Sequence, residues 1–399
     1  MFKAILILTM LLFVCTLAQA RTFERILTQE SAVATALNIN HEVLLRQQNI
    51  RFAGARQAES RSLLFPRIDF NFNISRFDNE RPLIMLPSAD TAVFLPAAYQ
   101  DHYFSTRLAL WQTIYSGGRI STTRRLAEAN VSQQRARKTQ TQHNVIHEVK
   151  TAFYKTLLFK EKINIYDNAL TALKAARASA ADISEAKREL AMLRHKYSRS
   201  LLNLLSVTGI ELNAIVTVEG RLEPIIKNLD LNQCLLRARQ FRPEMQNTQF
   251  QEDIDGLMVQ LTTEARRPSI VLGLGQEWLG ARMFGDESNW FVALNANVPI
   301  FDGGGHLARG QQKRIRARET VIRRSQLEDS INLQVRQAFA DYKFHKHTFL
   351  SRPVMPESSD ILRTAREETR RLAEIYTLNK SYFTLALAMG TIAEGNINF

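Results

Sequence analysis

Apolar and polar positions alternate with two periods along this chain, and the two periods divide it into strands and helices. Four stretches alternate with a period of two. Ile68, Phe70, Phe72 and Ile74 interleave with Asp69, Asn71, Asn73 and Ser75, and Phe104, Thr106, Leu108 and Leu110 with Tyr103, Ser105, Arg107 and Ala109. Further on, Ile270, Leu272, Leu274 and Trp278 interleave with Ser269, Gly273, Gly275 and Glu277. Trp290, Val292, Leu294 and Val298 do the same with Ala293, Asn295 and Asn297. Each stretch predicts a strand with one apolar face and one polar or small face. Each runs about 10 residues, the length of a tilted membrane-crossing strand.

The helical pattern is as regular. Val145, Val149, Ala152, Thr156, Phe159, Ile163, Tyr166, Leu170 and Leu173 follow steps of four and three, and Ile331, Val335, Ala338, Tyr342, His345 and Phe349 repeat them. A sustained 3.5-residue period predicts coiled-coil packing. Lys150, Glu161 and Lys162 lie off that seam. The first such helix is predicted over 119–180, about 90 Å long at 1.5 Å per residue.

The chain also repeats itself. Tyr115-Ser116-Gly117-Gly118 returns as Phe301-Asp302-Gly303-Gly304, and Val149-Lys150-Thr151-Ala152-Phe153 as Val335-Arg336-Gln337-Ala338-Phe339, both 186 residues later (301 − 115, 335 − 149). Upstream, Asn40-His41-Glu42-Val43 matches Arg242-Pro243-Glu244-Met245, and Pro66 matches Pro268, both at 202 (242 − 40, 268 − 66). The difference locates an insertion at 78–101, where Pro82, Pro87 and Pro96 predict a long loop. Each copy therefore reads helix, two strands, long helix, returning helix.

Four strands with lipid-facing surfaces cannot close a barrel, and lipid does not tolerate an open sheet edge. Three chains would supply twelve strands, an even number within the outer-membrane range. The polar strand faces would line a lumen, and the long helices would continue below as a bundle of coiled coils. Ordinary hairpins packed on soluble helices are the other reading of the same strands.

Composition and charge refine this picture. Hydrophobic residues make up 45% of the 399 and charged residues 23%, which excludes a disordered chain. Residues 1–20 have Lys3, an apolar stretch at 5–17 and Ala18-Gln19-Ala20, the pattern of a secretory signal peptide. No later apolar run is long enough for a helical span. Past residue 20, Cys234 is the single cysteine, so no internal disulfide is expected in the exported chain. The net charge of +13 concentrates after each glycine pair, in Arg119, Arg124, Arg125, Arg135, Arg137 and Lys138, and again in Arg309, Lys313, Arg314, Arg316, Arg318, Arg323 and Arg324. Such clusters suit anionic lipid or passing anions; they would also suit nucleic acid, which an exported protein does not meet.

At the strand-to-helix junctions stand Ile114-Tyr115-Ser116-Gly117-Gly118-Arg119 and Pro299-Ile300-Phe301-Asp302-Gly303-Gly304. Arg242-Pro243-Glu244 opens a helix, Pro268 precedes a strand, and Ala152-Phe153-Tyr154 lies in the long helix. Leu201-Leu202-Asn203-Leu204-Leu205-Ser206-Val207-Thr208-Gly209 closes the first returning helix. In this order and duplication, the chain resembles the TolC-type outer-membrane efflux protein family. The resemblance implies a mixed α/β membrane protein, a homotrimer with a 12-stranded outer-membrane β-barrel and a periplasmic coiled-coil α-barrel. It implies an exit duct for small-molecule drug efflux or type I protein secretion, with a periplasmic adaptor, an inner-membrane transporter and outer-membrane lipid as partners. A periplasmic coiled-coil scaffold or adaptor, or a truncated non-conducting homologue, is the alternative. The expected organisation is a signal peptide at 1–20, N-terminal periplasmic helices at 21–65, a barrel hairpin at 66–116 and a long helix pair at 117–209. An equatorial segment follows at 210–241, a helix at 242–267, a second hairpin at 268–302, and a second long helix pair at 303–399, short at its C-terminal end.

Site residues follow from the pattern and from the resemblance. Gly117, Gly118, Gly303 and Gly304 let the backbone swing from strand to helix with positive φ. Asp69, Asn71, Asn73, Arg107, Glu277, Asn295 and Asn297 are candidate lumen residues. In the family, the helix tips that meet the adaptor carry a Gly-x-x-Ser/Thr-like turn. That resemblance places one tip at Ala181, Asp182 and Ser184, with Ala181 where glycine is expected. It places the other at Tyr376, Asn379, Lys380 and Ser381, with Asn379 in the glycine position. On this reading the second return has only 19 residues (381–399) against 27 (182–208) in the first. Asp182 and Glu185 would form a charged ring or a solvated turn.

No catalytic or cofactor motif is present: there is no Gly-x-Ser-x-Gly, no His-Glu-x-x-His and no paired-cysteine metal site. His143 and His147 share a helix face without a third ligand, and are expected to be solvated. The chain reads as a channel component rather than an enzyme, without cofactor or nucleic acid.

Overall fold

The structure is a computed structural model that describes residues 25–76, 84–85, 93–94, 102–280, 282–284, 287–352 and 360–393. The signal segment at 1–20 and most of the 78–101 loop lie outside the described residues. Strand β1 (Arg25–Leu27) leads into α1 (Gln29–Ile39) and α2 (His41–Ser62). Then come β2 (Arg67–Arg76), the short pair β3 (Ile84–Met85) and β4 (Val93–Phe94), and β5 (His102–Tyr115). The long helix α3 (Arg119–Ala175) and its return α4 (Ala180–Thr208) end the first copy. After β6 (Val216–Val218) the second copy runs through α5 (Leu231–Phe241), α6 (Pro243–Glu264), β7 (Ser269–Gly280), β8 (Glu287–Asn297), α7 (Gly305–Leu350) and α8 (Ile361–Ala388).

The chain divides into two compact units, each threaded by both copies. One comprises Ile50–Gln134 and Thr248–Arg323. It contains a four-stranded antiparallel sheet of order β2-β5-β7-β8, so the two hairpins join through β5 and β7. The outer edges of β2 and β8 have no strand partner among the described residues.

The other unit comprises Met1–Asn49, Arg135–Asn247 and Arg324–Phe399. Its core is built on the 3.5-residue seam. Val145, Val149, Ala152, Thr156, Tyr166 and Leu173 of α3 are buried, as are Ile331, Val335, Ala338 and Tyr342 of α7. Each buried aliphatic contributes on the order of 1.5–3 kcal/mol over its exposed state. The 210–241 segment is tied to both copies. β6 pairs in parallel with β1. Lys160 donates to Val218 O at 2.7 Å, and Lys346 donates to Lys227 O at 3.0 Å. These two lysines are repeat equivalents (346 − 160 = 186), so the repeat extends to how each copy holds the segment.

The helix hairpins correct two expectations. α3 stops at Ala175, not 180, and α4 starts at Ala180 with Ser179 as N-cap. In the second copy α7 stops at Leu350, and α8 begins at Ile361 with Asp360 as N-cap. The second return therefore starts twenty residues before Ser381, and α8 has 28 residues against 29 in α4. It is not short. The physical reason is in the intervening sequence: Pro353 and Pro356 each lack an N–H and break a helix, whereas Asn379 breaks nothing. Residues 353–359 lie outside the described residues.

Both returns end alike. Gly209 and Gly390 take positive φ, 78° and 75°. Each sits against the link between the short helices of its own copy, Gly209 on Ile39 and Asn40, Gly390 on Phe241 and Arg242. Ser200-x-x-x-Leu204 and Ser381-x-x-x-Leu385 precede them at one offset, 181 (390 − 209, 381 − 200). Each serine hydroxyl donates three residues back, to Tyr197 O and Leu378 O.

Candidate functional site

The sheet carries the candidate lumen. Directly opposed residues in a sheet share a face. Register puts Asn71 opposite Arg107, Arg107 opposite Glu277 and Glu277 opposite Asn289, one polar row across four strands. Asp69, Asn73, Asn295 and Asn297 lie on the same face by period. The Arg107 guanidinium donates to Glu277 Oε1 at 2.6 Å, a cross-strand ion pair contributing roughly 0.2–1 kcal/mol. Asp69 is held by Arg67 Nε at 2.9 Å.

One apolar island interrupts this polar face. The rings of Trp111 and Phe291 lie 6.2 Å apart. They lie over Gly273 and Gly275, where an added Cβ would come within 2.4 Å of a ring atom. Glycine at these two positions is the space the rings occupy, which fits strand glycines that mark a close approach.

The opposite face is largely apolar and mostly exposed; Thr106 on it is buried and donates to Met283 O at 2.6 Å. Ile68, Phe70, Ile74, Trp290, Val292 and Leu294 are all exposed. A soluble monomer rarely leaves so large an apolar patch uncovered.

The junction glycines all have positive φ: 65° and 96° at Gly117 and Gly118, 65° and 83° at Gly303 and Gly304. An L side chain is strained there, so the sequence requirement has a backbone cause. At the first junction Arg267 packs on Gly117 and donates to its carbonyl at 3.1 Å. Glu264, buried at the end of α6, accepts from Thr122 at 2.9 Å and from Gln260 at 2.8 Å. At the second junction His306 Nδ1 lies 2.6 Å from Asp302, which also accepts from Arg309 at 2.8 Å.

The helix-tip candidates separate. Ala181, Asp182 and Ser184 lie in the opening turns of α4, where the Ser179 hydroxyl accepts from the Asp182 N–H at 3.2 Å. The turn itself precedes them, with Arg177 at φ 51°. Glu185 pairs with Arg366 of the second hairpin rather than facing solvent alone. Tyr376, Asn379, Lys380 and Ser381 are not at a tip. They lie inside α8, and Asn379 is fully buried. Its side chain accepts from Ile225 N at 2.8 Å and donates to Glu223 O at 2.8 Å. It serves the extended segment as a strand partner would, and the expected tip role at these four residues is withdrawn.

Of the histidine pair, His143 is not solvated and His147 is half-buried. His143 is buried, and His147 Nε2 is 3.3 Å from Thr384 Oγ1. Burial, with Lys380 nearby, holds His147 below the usual imidazole range. Burial also lowers Lys150, opposed by Glu30, and its ammonium donates to Ile392 O at 3.1 Å. Among the described residues no group of three metal-ligating side chains occurs, and no helix is long and apolar enough to cross a membrane.

An exposed apolar sheet face, paired strand–helix junctions and long helix hairpins together are a distinctive combination. Residues 32–187 match the family described as outer membrane efflux protein. That family, TolC-type in architecture, comprises channels and not enzymes. No curated protein matches the chain. Among solved structures, a membrane protein from Pseudomonas aeruginosa aligns at a TM-score of 0.70 with 14% identity, over 91% of this chain and 93% of that one. The open-state MtrE outer membrane channel of Neisseria gonorrhoeae aligns at 0.69 with 15% identity, over 91% and 88%. The CmeC outer membrane channel of Campylobacter jejuni aligns at 0.61 with 16% identity, over 91% and 85%. The fold of this chain is thus the TolC-like channel fold over nearly its whole length.

Within that fold, residue reasoning missed the roles of Asn379 and of the Trp111–Phe291 pair. The second had a partial signal in two glycines on one face of β7, Gly273 and Gly275, but the rings that fill the space follow only from register. The first had no local signal, since its partners are 154 and 156 residues away.

Proposed function

We propose that the chain is the outer-membrane exit duct of a tripartite export system, moving small molecules out of the periplasm. One observation carries this reading. The sheet exposes a largely apolar face while both of its edges lack a strand partner among the described residues. Such a sheet is stable in lipid only when the edges close, and three copies give twelve strands. The polar row through Asn71, Arg107 and Glu277 then faces water inside the barrel. The family description, an efflux protein, supports small molecules over secreted polypeptides as cargo.

The periplasmic adaptor docks at the opening turns of the return helices, Ala181, Asp182 and Ser184 in α4 and the equivalent turns of α8. Placing Ala181→Arg there is expected to abolish site-directed crosslinking to the adaptor; unchanged crosslinking removes docking from these residues.

The test of the whole reading starts with envelope fractionation of cells expressing the full chain. The expected result is an outer-membrane band of trimer size on unboiled gels that collapses to monomer on boiling, and ion conductance when that band is reconstituted. A monomer released with the soluble periplasmic fraction would overturn it.

A further inference from the structure

The two copies of the repeat meet inside the chain in a definite register. In the sheet, β5 of the first copy meets β7 of the second, with Trp111 opposite Gly273 and Ala109 opposite Gly275. The repeat offsets convert this register into another. The first-copy strand β5 maps onto β8 at 186, so Trp111 becomes Asn297 and Ala109 becomes Asn295. The second-copy strand β7 maps back onto β2 at 202, so Gly273 becomes Asn71 and Gly275 becomes Asn73. β8 and β2 are the edge strands of this sheet, without a further strand partner among the described residues.

The junctions repeat the same logic. Within the chain, Arg267 covers Gly117. Their equivalents are Phe65 (267 − 202) and Gly303 (117 + 186). The two helix ends are built alike: Arg267 N bonds to Glu264 O at 3.0 Å, and Phe65 N to Ser62 O at 3.0 Å. Yet Gly303 has no atom within 4 Å of an added Cβ, and Phe65 is 69% exposed. Beside that junction Phe301 is 86% exposed, against 47% for its equivalent Tyr115. On the helix the same asymmetry appears: Phe52 is 61% exposed, and its equivalent Ile254 (254 − 202) is 8% exposed. One end of the unit offers an apolar side chain, and the other offers an uncovered glycine turn.

Resting on the barrel proposed above, we infer that a second copy of this chain pairs its β2 with β8 in one fixed register, Asn71 opposite Asn297 and Asn73 opposite Asn295. Phe65 of that copy covers Gly303. The contact is head-to-tail, which closes into a ring when the rotation allows it. Four of the candidate lumen residues meet at this seam, where facing asparagine amides bond across the strands. Inside the chain the same rows hold a ring over glycine. At these two rows the seam between chains is more polar than the seam within one, whereas the Arg107–Glu277 row of the inner seam becomes Ala293 opposite Ser75.

Paired cysteines test the register, because directly opposite residues bring Cβ atoms within disulfide reach and a two-residue shift does not. In a Cys234→Ser background, Asn71→Cys with Asn297→Cys is compared with Asn73→Cys and Asn297→Cys. Oxidised outer membranes from the first variant are expected to give a covalent trimer band on boiled, non-reducing gels, several-fold stronger than the second gives. Preferential crosslinking of the shifted pair, or no crosslinking in a trimer that still forms on unboiled gels, overturns the register and leaves the barrel standing. Loss of the trimer in the parent Cys234→Ser chain overturns both. As a second probe, Phe65→Asp is expected to turn the unboiled trimer into monomer; a trimer of unchanged heat resistance overturns the covering of Gly303.

Discussion

At the scale of single residues, the most informative side chain is Asn379, because its two hydrogen bonds reach a distant extended segment. Replacing it with leucine removes the bonds to the Ile225 N–H and the Glu223 carbonyl at a part-buried site. Each such bond contributes about 0.5–1.5 kcal/mol. Asn379→Leu is therefore expected to lower the midpoint of thermal unfolding, followed by circular dichroism. An unaltered midpoint would show that the Asn379 amide does not hold the extended segment. A turn motif and a buried amide use the same residue type, so the sequence around Asn379 could not separate them. The distinction lies in Glu223 and Ile225, which no local pattern connects to it. The junction glycines were legible for the opposite reason. Their demand is on their own backbone, φ between 65° and 96°, and needs no partner.

At the scale of elements, the return helices end on the same device. Gly209 and Gly390 each take a left-handed conformation and lie against backbone atoms of the link between two short helices. A Cβ at Gly390 would stand 2.6 Å from Phe241 O, and at Gly209 3.0 Å from Ile39 O. Gly390→Ala and Gly209→Ala are both expected to destabilise, by about 1–3 kcal/mol from the strained backbone alone, with Gly390→Ala the larger effect. Thermal or denaturant unfolding of the two variants side by side checks this, and equal stability to the parent would dismiss the shared device. Strands and the 3.5-residue seam were legible because a period survives averaging over many positions. The second helix tip was misplaced because a family turn pattern was set above Pro353 and Pro356, which carry the stronger physical constraint.

At the scale of the molecule, sequence and fold divided the work in a definite way. The alternation of Ile68 to Ile74 against Asp69 to Ser75, its echo in β7 and β8, and two constant offsets determined strands, helices and an internal repeat. These are local or periodic properties, and each residue's hydration preference is enough to fix them. Only tertiary structure decided how the hairpins join. The pairing of β5 with β7 depends on contacts across more than 150 residues, and loop closure at such separation leaves no local trace. Tertiary structure also decided that Arg107 meets Glu277, that Trp111 and Phe291 fill the space over two glycines, and that Asn379 belongs to the core. The sequence determined which faces seek water and which avoid it. The fold determined which of those faces find a partner inside the chain, because partnership is a matter of register between distant segments rather than of composition.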